Sequence, residues 1–146
     1  MPGFFCFQNT VLSELSNVMT NFGPTASLDA IGQRAALLKK IRDYFFVHNI
    51  TEVEVPVLAE HSVTDVHLAA LEVGVLGEKK YLQTSPEYYL KRLLAAGSGS
   101  IYSLGKSFRA DENGKRHRAE FTLLEWYRLG FTDTDLINDV KHLLAA

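Results

Sequence analysis

At 146 residues, with 47% hydrophobic and 22% charged side chains, the chain has the composition of a globule that can bury a core, which excludes a disordered or fibrous class. A formal net charge of -2 excludes a broad electrostatic surface for nucleic acid or membrane, so any basic patch must be local. A lone Cys6 forms no internal disulfide and the five histidines lie too far apart in sequence for a ligand cluster, so the chain is expected to be cytoplasmic, with no membrane partner and no metal held by its own residues.

Residues 1–23 lack a clean period and lack the basic n-region of a secretory signal, and read as a leader of unknown role ending near Gly23-Pro24. From Leu28 the pattern turns helical. Ile31, Ala35, Leu38, Ile41 and Phe45 fall on one face, which is predicted to be buried, and the helix should stop near His48-Asn49. Thr51 to Leu58 alternates like an edge strand until Pro56 removes a backbone donor. After a polar turn at Ser62 to Asp65, the apolar run Leu68 to Val75, closed by Gly74 and Gly77, is predicted to pair as a strand with Lys79 to Gln83.

Ser85 is expected to cap a helix that Pro86 opens, with Tyr89, Leu90, Leu93 and Leu94 inward and Gly97 as the stop. Gly97 to Ser107 looks briefly like a phosphate-binding loop. The required glycine five residues before Gly105 is Ser100, and strand rather than helix follows, so that reading fails. A strand through Phe108-Arg109, a turn around Asn113-Gly114 and a returning strand Glu120 to Tyr127 describe an antiparallel hairpin. Alternation puts Phe121, Leu123, Glu125 and Tyr127 on one face. A guanidinium, a flat aromatic and a carboxylate on one surface can hold a phosphate, stack a base and grip an ammonium group. Thr132-Asp133 should cap a last helix with the apolar stripe Leu136, Ile137, Val140, Leu143 and Leu144.

Residue by residue, plainer accounts exist: a solvated basic tip for Lys115-Arg116-His117-Arg118, a helix cap for Ser85, a strand end for Pro56. Their order favours another reading. The helix from Leu28 with Thr51 to Pro56 resembles the first motif of class II aminoacyl-tRNA synthetases, a dimer-interface element ending in proline. Phe108-Arg109 through Phe121 to Tyr127 resembles the second, the ATP hairpin. Within the lysyl subgroup, Val63 to Leu68, Thr84 to Leu94 and Glu125-Trp126-Tyr127 are similar to the paralogue that attaches beta-lysine to elongation factor P.

That resemblance implies an α+β fold, an antiparallel sheet flanked by helices, with residues 24–146 as the N-terminal part of the catalytic domain. It implies ATP and Mg2+ as cofactors, a homodimer with Pro56 at its interface, and activation of lysine or (R)-beta-lysine as an adenylate before transfer to elongation factor P. By the family's pattern, Arg109 contacts the alpha-phosphate. Ala110, Asp111, His117, Arg118 and Phe121 bind ATP, Phe121 stacking on adenine. Ser85, Pro86, Glu87, Glu125 and Tyr127 receive the amino acid. Asp111 stands where the family has Glu, Arg118 where the paralogue has Asn, and Ala119 where Pro is usual, so nucleotide contacts are expected to differ there. The family's third motif, a Gly-rich segment ending Glu-Arg, does not occur, and Mg2+ ligands are not expected among these residues. The chain alone is therefore expected to be inactive. Two alternatives accompany this reading: a piece of a lysyl-tRNA synthetase acting on the acceptor end of tRNA-Lys, and a non-catalytic dimerising or regulatory protein.

Overall fold

The computed structural model describes residues 23–112, 114–115 and 117–146. The predicted leader up to residue 22, and Asn113 and Arg116 of the predicted hairpin tip, lie outside the described residues. The elements in chain order are α1 (Leu28–Val47), β1 (Thr51–Glu52), β2 (Leu58–Ala59), β3 (Glu72–Val75), β4 (Glu78–Leu82), α2 (Glu87–Ala95), β5 (Ile101–Phe108), β6 (Glu120–Tyr127) and α3 (Asp133–Ala145). The chain divides into two units between Ala36 and Leu37, inside α1.

In the first unit, Ser27 starts α1: its hydroxyl accepts the Ala30 N–H and its carbonyl the Ile31 N–H. Residues 23–36 are all exposed, so the predicted buried stripe fails here, with Ile31 49% exposed. Periodicity states which face seeks cover, not whether cover is present. In the second unit the same helix buries Tyr44 and Phe45, and it ends where Asn49 takes a positive φ of 56°. The core is Tyr44, Phe45, Ile50 and Tyr102, backed by Ile41, Leu104, Leu124, Trp126 and Leu143. Phe45 stacks on Tyr102 at 4.2 Å between centroids.

Two three-stranded sheets follow, ordered β1-β5-β6 and β2-β4-β3. The expected single strand from Thr51 to Leu58 is broken in two. Thr51 and Glu52 pair parallel to β5, whereas Leu58 and Ala59 pair antiparallel to β4. A segment holding a proline, which can give no N–H to a ladder, passes from one sheet to the other. Strand β3 pairs with β4 as predicted, but Gly74 lies within the ladder, and the turn is made by Leu76 and Gly77, at φ 52° and 83°. Two consecutive positive φ values are those of the tight primed hairpin turn.

Helix α2 begins one residue later than expected, with Pro86 at the N-cap position. The Ser85 hydroxyl still accepts the Glu87 N–H, at 3.4 Å. Gly97, at φ 86°, ends the helix. Thr132 and Asp135 form a reciprocal capping box on α3. The predicted stripe on α3 is largely exposed: Ile137, Val140 and Leu144 face outward, and the buried residue is Asp139. Its carboxylate accepts hydrogen bonds from the Tyr44 hydroxyl at 2.6 Å and the Trp126 indole at 3.0 Å, which offsets the cost of burying it. Burial and this bond push the Tyr44 hydroxyl up to about 12. The inward face thus runs through Leu136, Asp139 and Leu143.

Candidate functional site

The hairpin β5–β6 has two faces set by register. Tyr102, Leu104, Leu124 and Trp126 turn to the core. The opposite face pairs Ser107 with Phe121, Gly105 with Leu123, Ser103 with Glu125 and Ile101 with Tyr127. Three of these four β5 residues, Ser103, Gly105 and Ser107, are small and oppose large ones on β6, and both serines are buried. That pairing signal was available in the sequence.

Arg109 directly follows β5, its N–H bonded to the Ala119 carbonyl across the hairpin. Its guanidinium is held on three sides. Nε donates to the Thr84 carbonyl at 3.4 Å, Nη1 pairs with Glu112 at 2.9 Å, and the group lies 5.1 Å from the centre of the Phe121 ring. Arg109 and Phe121, singled out separately by sequence, thus meet. Glu112 was not anticipated, although its spacing of three from Arg109 is a recognisable ion-pair signal. Ala110 donates its N–H to the Ala69 carbonyl at 2.8 Å, which anchors the turn.

The strand ends at Phe108, one residue short of the predicted Arg109, and Asp111 sits exposed in the turn. His117 and Arg118 are exposed as well, with the His117 carbonyl accepting the Gly114 N–H. No described contact joins these three side chains to the rest of the site.

Farther along β6 the Tyr127 hydroxyl donates to Glu125 at 2.9 Å. Desolvation holds the Glu125 carboxyl above the usual carboxylate range, and Tyr127 counters this through its hydrogen bond. Burial, then the Glu125 bond, pushes Tyr127 up. Glu87 opens α2 and pairs with Lys91 one turn on, and both act electrostatically on Glu125. Ser85 and Glu87 line a cavity of about 240 Å3 together with Thr64, Asp65, Leu68, Thr84 and Tyr88. Pro86 is buried and supplies its carbonyl to the Tyr89 and Leu90 N–H groups, a structural rather than a polar contribution.

Pro56 lies apart, in an open cavity with Val55, Tyr89 and Leu93. A cavity of about 570 Å3 among Arg42, Phe46, Glu52 and Tyr102 also lies away from these residues. Among the described residues no group of three or more His, Cys, Asp or Glu converges to hold a metal, and no helix is long and apolar enough to cross a membrane. A phosphate and a flat base fit Arg109 and Phe121; a magnesium ion finds no ligand set among these residues.

The family model for class II tRNA synthetases (D, K and N) matches residues 15–146. A similar protein is the elongation factor P--(R)-beta-lysine ligase of Vibrio cholerae, 48% identical over 134 residues, which cover 86% of this chain and 41% of that one. The ligase of the same name from Haemophilus ducreyi is 46% identical over 139 residues, 91% of this chain and 42% of that one. The chain thus spans about two fifths of the length of these curated relatives. Among solved structures, asparaginyl-tRNA synthetase from Pyrococcus horikoshii, complexed with asparaginyl-adenylate, matches at a TM-score of 0.70 and 23% identity, covering 79% of this chain and 26% of that one. That likeness bears out the α+β class II synthetase-like fold, and the family match means that the chain belongs to the class II tRNA synthetases.

Proposed function

We propose that this class II synthetase-family chain contributes the ATP hairpin and amino-acid pocket to an ATP-dependent ligase. The ligase activates lysine or (R)-beta-lysine and transfers it to a lysine of elongation factor P. The observation that carries this reading is that one face of β6 bears both an aromatic–guanidinium pair and a carboxylate–phenol pair. Phe121 and the adjoining Arg109 stand at one end of it, and Glu125 with Tyr127 at the other. Four residues of strand separate Phe121 from Glu125 by about 13 Å, a span suited to a nucleotide joined to an amino acid with a charged tail. Relatives named for elongation factor P modification support that acceptor over tRNA-Lys.

In the first step an amino-acid carboxylate oxygen attacks the alpha-phosphorus of ATP and pyrophosphate leaves. Arg109 stabilises the charge that gathers on the alpha-phosphate, and Phe121 stacks the adenine. Ala110 N–H anchoring keeps the turn in place, while Asp111, His117 and Arg118 reach the nucleotide from the exposed tip. Glu125 and Tyr127 take the ammonium of the amino-acid side chain; Ser85, Pro86 and Glu87 shape the pocket for the end nearer the phosphate. In the second step an amine of the acceptor attacks the adenylate carbonyl and AMP leaves. The described residues supply no ligand set for magnesium, and no step is assigned to it. Residues 24–146 are assigned to the catalytic domain, with Pro56 at a homodimer contact.

A non-hydrolysable lysyl sulfamoyl adenosine tests the site by calorimetry on the whole chain. Binding should fall at least about tenfold for Arg109→Ala and for Glu125→Gln, the loss of one charge-assisted contact each. Equal affinity for the norleucyl analogue, which lacks the side-chain amine, would sink the lysine assignment.

A further inference from the structure

The cavity beside α2 holds a second carboxylate that the reading above does not use. Asp65 lies on the loop between β2 and β3, on the wall of the cavity that Glu87 also lines. One of its oxygens, Oδ1, accepts the His67 N–H at 2.8 Å, and its carbonyl accepts the Leu68 N–H, so the side chain is set in a local turn. Among the described residues Asp65 pairs with no cation. Glu87, by contrast, is paired with Lys91.

A separate observation points to a ligand in the same cavity. Thr84 lines it, is 1% exposed, and has a hydroxyl oxygen without a hydrogen-bond partner. A buried hydroxyl left unpaired is costly unless something polar arrives. The loop is also tied to the helix across the cavity, through the Thr64 and Tyr88 hydroxyls at 3.3 Å. Position decides which part of a ligand reaches this cavity. The Thr84 carbonyl accepts from Arg109 Nε, so the cavity wall abuts the proposed phosphate-binding group. An amino acid whose carboxylate is being activated there presents its carboxyl-proximal amine to this wall, while its side-chain amine lies along β6 at Glu125.

We propose that Asp65 is a specificity-determining residue that binds the ammonium group nearest the reacting carboxylate, so that the site selects amino acids carrying two amines. This inference rests on the adenylate reading above. The test compares two sulfamoyl adenosines differing only in that amine, the lysyl and the 6-aminohexanoyl compounds, by calorimetry on the whole chain. Asp65→Asn keeps the oxygen that accepts the His67 N–H, so the turn is retained. It should weaken the lysyl compound about tenfold and leave the 6-aminohexanoyl compound unchanged, the signature of one charge-assisted bond lost. Asp65→Glu, which keeps the charge, should recover part of the lysyl affinity. If Asp65→Asn shifts both compounds equally, or neither, the inference is overturned while the adenylate reading stands. If the unsubstituted chain binds neither compound, or Arg109→Ala leaves their binding unchanged, the adenylate reading itself falls and takes this inference with it.

Discussion

Glu125 and Tyr127 stand within β6, paired across to Ser103 and Ile101 of β5, half-buried and bonded to each other. Asp111, His117 and Arg118 stand on the turn between those same strands, exposed, with no described side-chain bond. The same hairpin thus has a fixed end, at which we propose the amine binds, and an open end, at which we propose the nucleotide binds. Arg109 marks the boundary, because it leaves the strand yet is held by Thr84, Glu112 and Phe121. The contrast teaches where binding energy is prepared in advance and where it must be won as the ligand arrives: side chains on paired strands lose little freedom on binding, while those on an exposed turn lose more.

The largest expected effect lies under the fixed end. Leu90 is fully buried on α2, the helix that presents Glu87. Leu90→Ala should cost about 2–5 kcal/mol in urea unfolding, whereas Lys115→Ala on the exposed turn should stay within about 0.5 kcal/mol. Comparable costs at the two positions would mean that the fixed and open ends are not distinct.

Next in size is Arg109→Lys. Lysine keeps the charge but lacks the planar fork that meets the Thr84 carbonyl and Glu112 together while facing Phe121. Affinity for the lysyl sulfamoyl adenosine should drop about tenfold while stability changes by less than about 1 kcal/mol. A variant that binds normally would show that the guanidinium serves only as a point charge.

The amine end carries a pH signature. Glu125 has a folded pKa above its unfolded value, chiefly through desolvation. Its contribution to stability is therefore fully present below the unfolded pKa and is lost as pH rises through the folded one. Glu125→Gln should flatten that decline, leaving the ligand-free chain more stable at neutral pH while amine binding is lost. In the unsubstituted chain, affinity for the amine should fall on acidification at a higher pH than an ordinary glutamate would dictate, since the protonated acid cannot pair with an ammonium. Thermal melts and titrations across mildly acidic pH read both trends.

Much of the frame is legible in local pattern. The β5–β6 hairpin, the Gly97 stop and the Thr132 cap each rest on a few adjacent residues whose chemistry has one good local outcome. Long-range partners are not legible in that way. The exposed turns of α1 and the inward Asp139 of α3 depend on what lies opposite, and no local period points Asp139 to Tyr44, 95 residues away. The split of Thr51 to Leu58 between two sheets is a matter of which neighbour is available to each half. In the site, Arg109 and Phe121 are readable as a pair because the hairpin register brings them together. Asp65 and Thr84 reach the cavity only through tertiary placement.

The smallest expected effect belongs to the open end and tests whether it is open in function as well as in form. Asp111 is one methylene shorter than the glutamate of the family's pattern, and it stands exposed on the turn with no described side-chain bond of its own. Lengthening it costs nothing in packing, because no neighbour encloses it. Asp111→Glu should therefore leave unfolding unchanged within about 0.5 kcal/mol. It should tighten binding of an adenosine-bearing ligand by a modest factor, on the order of threefold, because one neutral donor from adenine is worth about 1 kcal/mol or less net of water. The inosine counterpart, which lacks the exocyclic amine, should show no gain. A gain shared by both nucleosides would place the longer carboxylate on something other than the base, and a loss of stability would mean that the turn is more tightly built than its exposure implies.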